Sequence, residues 1–298
     1  MQLADYRVEI IPDCVFKLDG GAMFGVVPRV LWERVCPPDH LNRVSLTCNC
    51  LFIDTGKEKI LVETGMGEKW SPKEMSMYGI DRERPFADSL FEITGCRADD
   101  ITIVVNTHLH FDHAGGNSIF SGSPPYKGGV DAASADGVVL SSERKAVPQF
   151  PNARYLVSKS EFEKAEAPHE RDRASYLSEN WHPLIDSGQL EMMADEYEVA
   201  DGITVEQVRG HSETMQTVKI ERGGETLFGF FDMVPTRHHV ALPWIMSYDL
   251  YPTETLEFKK RILPHALEEN WICHFYHDVE MPLGRLAEID GKLSAIAL

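Results

Sequence analysis

Apolar positions along this chain come in short β-branched runs separated by turn residues, with few stretches at helical spacing. Tyr6-Arg-Val-Glu-Ile-Ile-Pro and Val15-Phe-Lys-Leu-Asp alternate and predict two short strands within residues 6–19, closed by Gly20-Gly21. Residues 44–54 and 59–63 read as a hairpin through Thr55-Gly56-Lys57-Glu58, and residues 215–221 and 226–231 as another through Arg222-Gly223-Gly224-Glu225. Further strands are expected over 101–105, 153–157, 198–209 and 271–276, with two edge strands in 284–298 turned at Asp290-Gly291. Ser71-Pro72-Lys73-Glu74 supplies the cap, first-turn proline and N3 glutamate of a helix that Gly79 ends. Helices are also expected over 85–94, from the capping pattern Ser158-Lys-Ser-Glu161 onward, within 171–180, and over 253–270 with a break near Pro264.

Two segments stand outside this pattern. Residues 22–43 carry Phe24, Val26, Val27, Val30, Leu31 and Trp32 with few turn signals, too apolar to hang in water. A segment packed on the core, and a wall or lid over a substrate pocket or a homodimer contact, account for it equally well. Residues 121–148, rich in Ser, Gly, Pro and Ala, read as an exposed insertion whose position suits a substrate-facing role. No linker appears, so residues 1–298 are read as one domain.

Composition narrows the function. Lys plus Arg number 29 against 47 Asp plus Glu, and a net charge of −18 would repel a phosphate backbone, so nucleic acid is not an expected partner. The six cysteines form no C-x-x-C and are read as reduced; Cys48 and Cys50 share one strand face, where buried packing is favoured over metal binding. Met1 to Tyr6 lacks a basic segment leading into an apolar core, and no run of 18 apolar residues occurs, so a cytoplasmic protein without a membrane partner is expected.

The chemistry concentrates in Thr107-His-Leu-His-Phe-Asp-His-Ala-Gly-Gly116, directly after the apolar run 101–105. On an extended segment residues two apart point the same way, so His108 and His110 can face one cation. The chain then turns at Ala114-Gly115-Gly116, which re-aims Asp112 and His113 toward a second position beside the first. Later strands end at His211, at Asp232 behind Leu-Phe-Gly-Phe-Phe, and at His277-Asp278. An aspartate behind so apolar a run needs a positive partner, which metal ions would supply. His238, His239, Trp244 and Tyr248 follow Asp232 closely and are the substrate-pocket candidates; His169 and His182 read as surface residues.

H-x-H-x-D-H after an apolar strand resembles the signature of the metallo-β-lactamase-fold hydrolases, and the later landmarks look most like their quorum-quenching lactonase subgroup. The resemblance implies an α/β (α+β) fold, a four-layer αβ/βα sandwich of two mixed sheets with outer helices. It implies His108, His110 and His211 around one divalent ion, Asp112, His113 and His277 around another, and Asp232 bridging, with Asp112 or Asp232 relaying a proton. All-N/O ligation suits Zn²⁺, with Mn²⁺, Co²⁺ or Fe²⁺ as alternatives. Two such ions can share a water and present it as hydroxide to a small-molecule lactone or carboxylic ester. A glyoxalase-II-like thioesterase or a phosphotriesterase would use the same ligands, and an iron-dependent sulfur dioxygenase a related site. The chain departs from the pattern in four places. Glu63-Thr64-Gly65 stands where the family has Asp-Thr-Gly, Gln216 where it has a second histidine after His211, Phe231 where it has glycine before the bridging aspartate, and Met233-Val-Pro235 lacks the lactonase tyrosine.

Overall fold

The computed structural model of the protein describes residues 1–122 and 145–298, so most of the insertion expected over 121–148 lies outside the described residues. The strands are β1 (Gln2–Leu3), β2 (Tyr6–Asp19), β3 (Arg43–Asp54), β4 (Lys59–Val62), β5 (Ile103–Val105), β6 (Ser118–Phe120), β7 (Ala146–Pro148), β8 (Arg154–Ser158), β9 (Leu190–Met193), β10 (Glu196–Ala200), β11 (Ile203–Gln207), β12 (Gln216–Arg222), β13 (Glu225–Gly229), β14 (Ile272–His274), β15 (Leu283–Ile289) and β16 (Lys292–Ala297). Between them run helices α1 (Gly20–Phe24), α2 (Arg29–Trp32), α3 (Pro72–Tyr78), α4 (Phe86–Thr94), α5 (Phe111–Ala114), α6 (Lys159–Glu166), α7 (His182–Ser187) and α8 (Pro252–Glu268).

Two seven-stranded mixed sheets result, ordered β1-β2-β3-β4-β5-β8-β9 and β10-β11-β12-β13-β14-β15-β16, with β6 and β7 as a separate ribbon. In the first sheet β4, β5, β8 and β9 run parallel, and in the second only β13 and β14 do. Parallel neighbours need crossovers, which α3 and α4 provide between β4 and β5, α6 and α7 between β8 and β9, and α8 between β13 and β14. Strands covered on both faces read as unbroken apolar runs, which is why β4 and β5 are buried almost throughout. The sheets are stitched at one rim: Asn49 N–H donates to the Tyr276 carbonyl at 2.9 Å, Gln216 N–H to the Thr107 carbonyl at 3.0 Å, and His274 Nε2 to the Asn49 carbonyl at 2.8 Å. Among the described residues no helix is long and apolar enough to cross a membrane.

Four expectations need correction. Residues 6–19 form one strand with a register shift between Pro12 and Val15, which releases Asp13 to pair with Arg82 and the Met66 N–H. The strand expected over 198–209 is a hairpin, β10 and β11, turned at Asp201-Gly202 with Gly202 at φ +76°. The helix expected within 171–180 is two short 3₁₀ turns, Arg173–Ser175 and Ser178–Asn180, because Tyr176 between them stays extended to bridge His110. Helix α8 runs through Pro264 without a break, since burial of Phe258, Leu263 and Ala266 outweighs one lost hydrogen bond. The segment over 22–43 does line the pocket, through Met23, while Phe24 and Trp32 stack and are buried.

Candidate metal centre

The rim where the sheets meet is where the strand ends deliver their histidines. After β5 the chain leaves extended through His108 and His110, then turns into α5, which carries Asp112 and His113. That turn has no room for side chains: a Cβ on Gly115 would strike the Met66 carbonyl, and one on Gly116 the Thr64 carbonyl. Close backbone approach is thus what the Gly-Gly pair supplies. Loops after β11, β13 and β14 bring His211, Asp232 and His277 to the same place, and all seven residues are buried.

Their atoms converge in two groups around one carboxylate. Asp232 Oδ2 lies 3.2 Å from His211 Nε2 and 3.9 Å from His108 Nε2. Asp232 Oδ1 lies 3.0 Å from His277 Nε2 and 3.3 Å from His113 Nε2. His110 Nδ1 faces His211 Nε2 at 3.2 Å, and Asp112 Oδ2 faces His277 Nε2 at 3.6 Å. Donor atoms His108–His110–His211–Asp232 and Asp112–His113–His277 form two clusters, each tight enough for a single ion, and Glu63 makes a third such group with His108 and His113.

Metal ions fit this donor set on the protein's own evidence. His108 Nε2, His113 Nε2 and Asp232 Oδ1, all aimed into the cluster, are buried with no hydrogen-bond partner, a cost that coordination removes. Two donors each about 2.0–2.1 Å from one tetrahedral ion lie roughly 3.3 Å apart, the spacing seen around Asp232. Burial and then neighbouring imidazoles hold His108 and His110 well below the usual histidine range, leaving them neutral donors. For Asp232 burial opposes ionisation, yet His113, His211 and His277 outweigh it and keep the carboxyl well below the usual range.

Partners outside the donor set fix the rings; of these the sequence singled out only Glu63, as a departure from the family pattern, and not Asp249 or Thr47. Asp249 accepts from His211 Nδ1 at 3.1 Å, the Thr47 carbonyl accepts from His277 Nδ1 at 2.8 Å, and Glu63 Oε1 sits 3.4 Å from His113 Nδ1. Glu63 replaces the family aspartate, but its φ of +65° and bonds from the Thr107 N–H and hydroxyl seat it under the loop. Phe231, also at positive φ (+47°), occupies the left-handed conformation for which the family has glycine; its ring packs against His274 and Tyr276 rather than into the site.

Above the centre lies a cavity of about 490 Å³ lined by Leu18, Met23, Leu46, Tyr78, Phe111, Met246 and Tyr248, with Arg171, Asp172, Ser175 and Ser247 as polar members. His110, Asp112, His211, Asp232 and His277 form its floor. Of the four pocket candidates only Tyr248 lines it. His239 is buried with Nε2 donating to the Met23 carbonyl and Nδ1 accepting from Thr236, and it stacks on Phe24. Trp244 packs edge-on to Phe24 behind the wall, and His238 does not border the cavity.

The sequence profile of the Metallo-beta-lactamase superfamily matches residues 44–136, the span holding β3 through the metal loop. A crystal structure of a probable metal-dependent hydrolase from Staphylococcus aureus superposes with a TM-score of 0.85 at 26% identity, covering 100% of this chain and 99% of that one. The chain thus carries the fold of the metallo-β-lactamase superfamily, and its residues 44–136 match that superfamily's profile. The chain is 25% identical over 255 residues to an N-acyl homoserine lactonase of Bacillus cereus, covering 82% of this chain and 86% of the relative. AidC, a dizinc quorum-quenching lactonase, shares the superfamily fold with a TM-score of 0.71 at 19% identity, covering 100% of this chain and 96% of that one.

Proposed function

We propose that the protein is a binuclear metal-dependent hydrolase acting on a small lactone or carboxylic ester. The coarse assignment, a metal-dependent hydrolase, rests on the profile match over residues 44–136, the similarity to lactonases and to the Staphylococcus aureus hydrolase, and the buried His/Asp cluster. One observation carries the two-ion reading: Asp232 turns one oxygen to each half of the donor set, on the floor of a mostly apolar cavity. His108, His110 and His211 would hold one ion and Asp112, His113 and His277 the other, with zinc the metal that an all-N/O set suits. Such ions supply Lewis-acid chemistry, lowering the pKa of a shared water and polarising a carbonyl.

The chain's own groups do the rest. Tyr248 lies in the cavity wall, and burial, reinforced by Asp19, Asp112 and Tyr78, pushes its phenol above the usual range. It therefore stays protonated and donates to the substrate carbonyl oxygen, the task for which Met233-Val-Pro235 offers no tyrosine. Asp112, bordering the cavity beside His277, carries a proton to the departing alkoxide. Leu18, Leu46, Phe111 and Met246 exclude water and receive the apolar part of the substrate.

The test is metal analysis of gently purified protein alongside turnover of lactones, esters, thioesters and phosphotriesters, before and after chelation and zinc restoration. Near two zinc per chain with chelator-sensitive lactone or ester turnover is expected. One iron per chain with thiol-dependent oxygen uptake would overturn the reading.

A further inference from the structure

His211 is the one histidine of its group that does not come from the 107–116 loop, so something else must aim its ring. Two atoms of its imidazole are spoken for. Nε2 points at Asp232 and His110, and Nδ1 points at Asp249 Oδ1 at 3.1 Å. Asp249 is 2% exposed, and its second oxygen, Oδ2, accepts from the Thr255 hydroxyl at 2.7 Å. Thr255 is itself 1% exposed and lies in the first turn of α8. The backbone repeats the connection: Leu250 N–H donates to the His211 carbonyl and Tyr251 N–H to the Gly210 carbonyl, both at 2.9 Å. Gly210 lets the loop come this close, since a Cβ there would lie 2.6 Å from Thr255 Oγ1.

We infer that Asp249 is a positioning residue of the metal centre, one that locks His211 as its Nδ1–H tautomer and turns Nε2 to the metal while Thr255 holds the carboxylate in place. This rests on the metal-centre reading of Proposed function. A carboxylate accepting from the far nitrogen of a ligating imidazole fixes the ring and makes it a stronger donor, and losing such a partner weakens metal affinity by about 10–100-fold. The same short segment bears Tyr248, so the residue that faces the substrate and the residue that steadies His211 are neighbours in the chain. Substrate pressing on the wall and metal seated on His211 therefore act on one piece of backbone, fastened to α1 by the Ser247 N–H bond to the Ala22 carbonyl at 2.7 Å.

The experiment is a chelator-competition titration of zinc on wild type, Asp249→Asn, Asp249→Glu and Thr255→Val, with the visible spectrum of the cobalt-substituted proteins as a second readout. Wild type is expected to bind two ions. Asp249→Asn should bind one ion as wild type does and the other about 10–100-fold more weakly, with altered cobalt bands. Asp249→Glu, which restores the charge, should recover part of the loss, and Thr255→Val should show a smaller loss of the same ion. Unfolding of the metal-free proteins separates aim from architecture, because a positioning role predicts that Asp249→Asn unfolds at the wild-type temperature. Two ions bound by Asp249→Asn with wild-type affinity and spectrum would overturn the inference. So would equal weakening of both ions with a lowered metal-free unfolding temperature, which marks a merely structural residue. If Asp249→Asn does not fold, Thr255→Val decides alone: wild-type affinity for both ions in that variant counts against. A wild type that binds fewer than two ions would instead bring down the two-ion reading itself.

Discussion

The two halves of the metal centre are built by different means. Around His108, His110 and His211 the support comes from side-chain carboxylates on helices and their approaches. Asp249 steadies His211, and Glu161 of α6 accepts from the Leu109 N–H at 2.7 Å and from the Thr214 hydroxyl, tying the two ligand loops together. Around Asp112, His113 and His277 much of the support is backbone and sheet. The Thr47 carbonyl of β3 holds His277, and the Tyr276 hydroxyl donates to the Asp112 carbonyl at 2.8 Å while its ring stacks on His113 at 4.4 Å. Support made of side chains can be removed by substitution; support made of strand register cannot. The first half should therefore be the tunable one and the second the fixed one, with Glu63 as the exception that tests the rule.

The most drastic way to erase the distinction is to remove what the halves share. Asp232→Ala should cost binding of both ions and lower turnover by more than the about 10–100-fold that loss of an outer partner costs, on the order of a thousandfold; retention of two ions at wild-type affinity would show that Asp232 does not bridge. Tyr248→Phe touches neither half and should lower kcat by about a hundredfold, the scale of one oxyanion donor. Metal content should stay unchanged, and a change in it would show that the cavity wall helps to hold the ions. Glu63→Gln is the direct challenge. Because Tyr276 and Thr47 remain, it should weaken only the His113 ion, by about tenfold, and a loss as large as that of Asp249→Asn would break the comparison.

The smallest effect on the centre is expected at Glu161. Burial raises its pKa to about 7, against the opposing bonds from Thr214 and Leu109. A folded pKa above the unfolded value of 4.5 means that this group's stabilisation is complete below 4.5 and fades as pH climbs through 7. Metal-free wild type should therefore lose on the order of 3 kcal/mol from this source across that window, seen as a falling unfolding midpoint. Glu161→Gln should flatten that part of the curve, and an unchanged slope in the variant would refute the assignment.

Legibility in the sequence followed locality. Alternation found most strands, and the capping box at Ser71 was formed as expected, with Glu74 bonding back to the Ser71 N–H and Gly79 ending the helix in the left-handed conformation. The seven candidate donors could be singled out because they follow strands closely, His108 to His113 behind β5 and His211, Asp232 and His277 in the loops after β11, β13 and β14, and the structure brings them together. Asp249 was not, because its partner is 38 residues away and nothing local distinguishes it from any acid before a helix. Glu161 misled in a subtler way: Ser158 does cap its backbone N–H, yet the glutamate side chain turns to Leu109 instead of completing the box. His239 drew attention as a histidine near Asp232, but both its nitrogens are engaged in holding the wall. Asp201-Gly202 was a turn signal passed over inside an otherwise alternating run.

The stitching of the two sheets at one rim also bears on how the protein comes to own its metal. The 107–116 loop leaves the ribosome with three histidines and an aspartate, whereas His211, Asp232 and His277 belong to the second sheet and follow much later. A nascent chain can thus present a promiscuous chelating loop, but not the shared carboxylate or the carboxylate-backed His211. Under the two-ion reading, the complete donor set exists only once Gln216 of β12 is bonded to the Thr107 carbonyl and Asn49 to the Tyr276 carbonyl, so discrimination among ions would belong to the docked sheets rather than to the first loop alone.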